Sequence, residues 1–133
     1  MKALGSKVDF FDVDGGDIET TSACPTHMHI AMVSGEYPPR WGGIGSVVYH
    51  LAGHLASRGH EVSIITRTHK GRAPSQRGVS VIEVPWLKAP MTFTRSYGKY
   101  ALQALKILHK REPIDVVHTL LPLVSWTKKE YRM

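Results

Sequence analysis

The sequence predicts an α/β fold of the Rossmann-like kind, a parallel sheet with flanking helices. Two observations carry that prediction. Short apolar runs at residues 29–34 (HIAMVS), 61–66 (EVSIIT) and 114–118 (IDVVH) have the continuous character of strands covered on both faces. Between them lie stretches with helical spacing, and the second run follows the first helix after a two-residue turn, so a strand–helix–strand unit with parallel strands is the natural assignment.

Each element has its own local cause. The first strand is bounded by Gly35 and by the prolines at 38 and 39. A helix is predicted over residues 46–58: Ser46 has the side chain of an N-cap, Val47, Val48, Leu51 and Leu55 form an apolar stripe, and Gly59 provides a left-handed stop. The second strand, 61–66, is rich in β-branched residues. Residues 67–78 (RTHKGRAPSQRG) are basic and turn-rich. Residues 79–84 (VSVIEV) form a third strand, suited to a sheet edge, which Pro85 stops. From about 94 to 111, Lys99, Gln103, Lys106 and Lys110 share one helical stripe while Tyr97, Ala101, Leu105 and Leu108 share the opposite one, so this helix covers the sheet. Pro113 ends it, and residues 114–118 form a fourth strand of the buried type.

Composition bounds the function. With 133 residues, 42% of them hydrophobic and 21% charged, the chain has the material for one globular domain with a modest core. No apolar run approaches the roughly 20 residues of a membrane span, and the N-terminus lacks the pattern of a secretory signal, so a cytoplasmic address is expected. The single cysteine, Cys24, excludes an internal disulfide and reads as an incidental thiol. Net charge is +6, but residues 1–27 hold five acids against two lysines, leaving the remainder at +9. That first segment has no sustained period and reads as a weakly ordered extension, with the domain over 28–133. The basic residues are scattered, without zinc-finger, basic-helix or aromatic-interleaved signatures, so nucleic-acid binding is not expected.

Ligands of open parallel sheets bind at the carboxyl ends of the strands, which directs attention to the segment after the first strand, GEYPPRWGGIGS. Gly42, Gly43 and Gly45 permit close approach of backbone to a ligand, a helix N-terminus follows with free N–H groups suited to phosphate, and Arg40 adds a cation. The plainer reading is that these glycines only make a tight strand-to-helix turn. Their spacing matches neither a Walker loop nor the dinucleotide pattern GxGxxG, which disfavours ATP hydrolysis and NAD binding.

Several segments taken in order resemble the N-terminal domain of family 4 glycosyltransferases, the GT-B group that includes glycogen and starch synthases. EYPPRWGGIG at 36–45 is similar to the family's acidic-aromatic-proline segment and GG loop; SVVYHLAGHLASRGHEVSIIT is similar to the following helix, RGHEV turn and second strand; IDVVH at 114–118 is similar to a later Asp-Val-Val-His strand. The resemblance covers about residues 28–122. It implies one of two Rossmann-like halves of a retaining enzyme that uses a nucleotide-sugar donor, needs no metal or other cofactor, and binds acceptor on this half. It places Gly42, Gly43 and Gly45 beside the donor's diphosphate and Glu36, Tyr37 and Arg40 along the cleft near the acceptor.

Two departures bear on function. Relatives with Asp-Val-Val-His-x-His carry a second histidine where this chain has Leu120 after Thr119, leaving His118, at the carboxyl end of its strand, as the histidine expected to line the substrate cleft. The family's active-site histidine and the Glu-x7-Glu segment of the donor-binding domain have no counterpart here, so no catalytic residue is assigned. The chain reads as a truncated first half, inactive until a C-terminal domain or subunit completes it. A non-enzymatic module that binds sugar nucleotides or phosphate for regulation is the alternative, and a decayed piece without a stable fold is a third. His50 and His54 lie four apart on the first helix, yet no third ligand accompanies them and no metal site is expected. His60 is explained by a local hydrogen bond in its turn. Trp41 either stacks on a sugar or packs on its own domain.

Overall fold

The computed structural model describes residues 27–89 and 92–120 of the protein. The extension up to residue 26, Cys24 with it, and the tail from residue 121 lie outside the described residues.

Four strands and two helices follow in the order β1 (His29–Val33), α1 (Gly43–Ser57), β2 (Glu61–Arg67), β3 (Val79–Val84), α2 (Phe93–Arg111) and β4 (Val116–Thr119), with β2 and β3 joined by a loop. The strands form one sheet in the order β3-β2-β1-β4, and every pairing is parallel. The predicted fold class is therefore the observed one, with β3 at an edge as expected.

Alternation along the strands explains their continuous apolar character. Ile30, Met32, Val62 and Ile64 turn toward one face and pack with Val48 and Ala52 of α1. Ala31, Val33 and Ile65 turn to the other and pack with Tyr97, Ala101, Leu102 and Leu105 of α2. With both faces of β1 and β2 covered, no polar alternation is left to mark them. Each of the large aliphatic side chains so buried contributes roughly 1.5–3 kcal/mol.

Helix α1 departs from expectation at its start. It begins at Gly43, with Gly42 as an extended N-cap that offers no side-chain hydrogen bond. Ser46 caps nothing; it sits inside the first turn, where its N–H donates to the carbonyl of Gly42 at 3.0 Å. Glycine's poor helix propensity argues for the later start, but packing overrides it, since a Cβ on Gly45 would meet the carbonyl oxygen of Arg40 at 3.2 Å. The helix ends as predicted. Gly59 has φ +90°, its N–H donates to Ala56, and the N–H of His60 reaches back to Leu55, the paired bonds of a Schellman stop.

Helix α2 follows its predicted stripes: Lys99, Gln103, Lys106 and Lys110 are exposed, Tyr97, Ala101 and Leu105 are buried, and Leu108 is half-buried. His109, Lys110 and Arg111 occupy its last turn, where positive charge complements the helix dipole. Strand β4 starts two residues later than predicted and is less buried, with Val117 37% exposed, because it pairs only with β1 and lies outermost among the described strands. No helix among the described residues is long and apolar enough to cross a membrane.

Candidate functional site at the carboxyl edge of the sheet

The chain leaving β1 is tied into a tight turn. The Ser34 hydroxyl donates to the carbonyl of Glu36 at 2.8 Å and accepts from the Glu36 N–H at 3.2 Å. Tyr37 then enters the core. It is fully buried beneath α1, its hydroxyl donates to Oε1 of Gln76 at 3.3 Å, and burial, with Tyr49 adding to it, pushes its pKa up to about 12. Expected along the cleft, Tyr37 is instead a packing residue, because the turn at 34–36 points its ring inward. Arg40 and Trp41 are exposed; Trp41 presents its ring edge-to-face to Tyr49 at 5.3 Å, so it packs on its own domain while 59% of it stays open.

The three glycines have three different surroundings. A Cβ on Gly42 would come 2.6 Å from Oε2 of Glu36, so the absence of a side chain lets that carboxylate lie against the helix terminus. Gly45 is buried against the backbone of Glu36–Arg40 and serves packing. Gly43 is exposed, with nothing within 4 Å of its missing Cβ. The N–H groups of Gly43, Ile44 and Gly45 begin the helix and have no acceptor among the described residues. They leave a positive dipole end open at the carboxyl edge of β1.

A second feature stands beside this one at the end of β2. Arg67 shares the strand parity of Ile65 and so points to the α2 face, where it is only 8% exposed. Its guanidinium carbon lies 4.9 Å from the Trp86 ring and 4.9 Å from the Phe93 ring. Burial lowers its pKa from the usual arginine value, and the nearby charge of Arg40 adds to that, against an opposing effect from Glu36. His69, two residues on, is likewise lowered by burial and then by Arg67 and Arg40. Thr66 Oγ1, Arg67 Nε and His69 Nε2 are all buried without a hydrogen-bond partner among the described residues.

Residues 41–128 match the profile of Glycosyltransferase Family 4. The chain belongs to glycosyltransferase family 4. It is similar to a phosphatidylinositol N-acetylglucosaminyltransferase subunit from Arabidopsis thaliana, 32% identical over 99 residues that make up 71% of this chain and 22% of that protein. A shorter and closer match, 49% identical over 49 residues, joins 36% of the chain to 12% of a glycogen synthase from Mycobacterium tuberculosis. Among solved structures, WaaG, a glycosyltransferase involved in lipopolysaccharide biosynthesis, shares the fold with a TM-score of 0.52 at 24% identity, over 68% of this chain and 23% of that one. The chain thus spans about a fifth of the length of the curated relatives that it matches along most of its own.

In this family 4 chain, the sequence-derived residues divide by position. Glu36, Arg40, Gly42 and Gly43 gather at the carboxyl edge around the start of α1. His118 is exposed at the carboxyl end of β4, in register with Met32 on the α1 side of the sheet. His50 and His54 are exposed on α1. His60 corrects an expectation: its Nδ1 is buried without a partner, and the local bond in that turn comes from its backbone N–H. Sequence reasoning missed Arg67 and His69 by treating 67–78 as a generic basic turn. The available signal was parity, since a charged residue two positions after Ile65 in a buried strand must point into a covered face.

The opposite edge contrasts with this one. Among the described residues, His29, Glu61 and Glu112 bring potential ligand atoms within 4.8 Å of one another. The imidazole is already engaged: the carbonyl of Pro113 can only accept, so Nδ1 carries the proton at 3.2 Å, and Nε2 accepts from the Ser63 hydroxyl at 2.8 Å. The lone pair that a metal would need is held by Ser63.

Proposed function

We propose that this chain is the acceptor-side, N-terminal part of a retaining glycosyltransferase that transfers a sugar from a nucleotide-sugar donor and does not turn over alone. The observation that carries the reading is the open start of α1, three unpartnered N–H groups at the carboxyl edge of the sheet in a family 4 chain. Loss of a nucleoside diphosphate concentrates negative charge on the leaving phosphates, and preorganised donors with a helix dipole stabilise that charge as it develops. Gly43 leaves the approach clear. Glu36, lying against the same terminus, sets the local charge that an arriving phosphate meets.

One wall is insufficient for the reaction, because the leaving group and the sugar must be gripped from both sides of a site closed to water. The relatives whose names give their activity, a glycogen synthase and part of an N-acetylglucosaminyltransferase, are several times longer than the matched piece. The test is calorimetric titration with UDP-, ADP- and GDP-sugars, followed by a transfer assay with and without the C-terminal half of a family 4 enzyme fused to the chain. The expected result is no turnover and no micromolar donor binding by the chain alone, and sugar transfer by the fusion. Micromolar binding by the isolated chain would replace this reading with that of a binding module.

A further inference from the structure

We propose that Arg67, flanked by Arg40 and His69, forms a cup at the carboxyl edge of β2 that takes a phosphate group carried by the acceptor. The inference rests on the acceptor-side reading above and names the chemistry of that acceptor.

Arg67 occupies a position that is unfavourable for an unpaired cation. Arg67 is more than nine-tenths buried, its Nε is fully enclosed, and no carboxylate among the described residues reaches salt-bridge distance. Burial of an unpaired charge is costly, and the attraction of two aromatic rings offsets only part of that cost. Those rings do something else. Trp86 and Phe93, edge-to-face at 5.3 Å, hold the guanidinium carbon in place and leave its N–H edge as the hydrogen-bonding side. A guanidinium fixed before binding loses little freedom on meeting an oxyanion, and its planar fork matches two oxygens of a phosphate.

Charge around the cup points the same way. Arg40 acts on both Arg67 and His69, while Glu36 is the acidic group that faces Arg67 and Glu83 adds its charge only at His69. Two arginines face Glu36 at Arg67, and Glu83 balances the set only at His69, so the positive character is concentrated at the guanidinium, where the unpartnered Nε2 of His69 adds a polar group nearby. A preorganised arginine fork with a second cation and an imidazole acting on it suits a tetrahedral anion with several oxygens better than a planar carboxylate satisfied by one arginine.

The experiment follows the Arg67 Nε–H resonance and the backbone amides of the full chain during titration with inorganic phosphate. Two further arms use glycerol 3-phosphate and phosphatidylcholine vesicles containing phosphatidylglycerol. Saturable binding that moves the Arg67 Nε–H is expected. Response to glycerol 3-phosphate identifies a soluble phosphorylated acceptor; response to vesicles alone identifies a lipid headgroup, and either outcome supports the cup. Arg67→Gln should weaken binding by about tenfold or more, since it removes charge-assisted bonds. Arg67→Lys keeps the charge without the fork and should fall between. Glu36→Gln, which leaves the cup intact, should tighten binding about threefold, the effect of one partly screened charge at several ångströms. Absence of phosphate binding by the folded wild-type chain, or equal binding by wild type, Arg67→Lys and Glu36→Gln, overturns the proposal. Phosphate binding by a chain whose C-terminal fusion transfers no sugar would sink the transferase reading and spare the cup; transfer without phosphate binding would do the reverse.

Discussion

The two edges of this sheet differ in how far their buried polar groups are satisfied. At the amino edge every polar atom of His29 is used: its N–H donates to Oδ2 of Asp115 at 2.8 Å, Nδ1 donates to Pro113 and Nε2 accepts from Ser63. At the carboxyl edge Thr66, Arg67 and His69 each bury a polar atom with no partner among the described residues, and the first amides of α1 are open. Both edges belong to the same strands. The bonds of His29 tie β1, β2 and β4 together at the amino edge, where His60 Nδ1 is the one buried side-chain atom left without a partner among the described residues, whereas three such atoms retain bonding capacity at the edge where ligands of parallel sheets arrive.

That difference makes paired substitutions informative. His29→Ala should destabilise the fold by about 2–4 kcal/mol, through lost bonds, an unpaired Ser63 hydroxyl and a small cavity, as read by chemical denaturation. Its counterpart Arg67→Met should leave stability within about 1 kcal/mol of wild type, or raise it, because it removes a buried charge that lacks a salt-bridge partner. Equal losses at the two positions would erase the contrast. Next in size, Gly45→Ala should cost about 1–3 kcal/mol, as its Cβ presses on the Arg40 carbonyl.

Acid stability sharpens the contrast from another side. Burial lowers the His69 pKa from its ordinary 6.5, so below that value the unfolded chain binds more protons than the folded one. Stability contributed by neutral His69 is full above about 6.5 and is lost as pH falls toward the lowered folded value. Melts from pH 7 down to 5 should show a steeper loss for wild type than for His69→Gln. The smallest effect is expected at Gly43, where alanine meets nothing within 4 Å and should stabilise the first turn by several tenths of a kcal/mol.

Most of the fold was legible because its signals are local or periodic. The runs at 29–34 and 61–66, the stripe through Tyr97, Ala101 and Leu105, and Gly59 each carry their cause within a few residues. The start of α1 was not, because the reason for a helix through Gly43 and Gly45 lies in the Arg40 carbonyl that Gly45 must clear, a contact across the turn. The same holds at the site. The resemblance drew attention to residues 36–45, but it could not separate Gly42, which makes room for Glu36, from Gly45, which makes room for backbone, nor reveal Tyr37 as core. Arg67 depends on Trp86 and Phe93, 19 and 26 positions away, and no spacing rule links them.

The most direct test of a working carboxyl edge is amide and arginine side-chain chemical-shift mapping of the isolated chain, titrated separately with UDP and with inorganic phosphate into the range where weak binding is seen. The expected result is movement confined to the start of α1, residues 42–46, and to Arg67, with His29, Glu61 and Asp115 unmoved. Movement centred on His29 and its neighbours, or none at either edge, would contradict it.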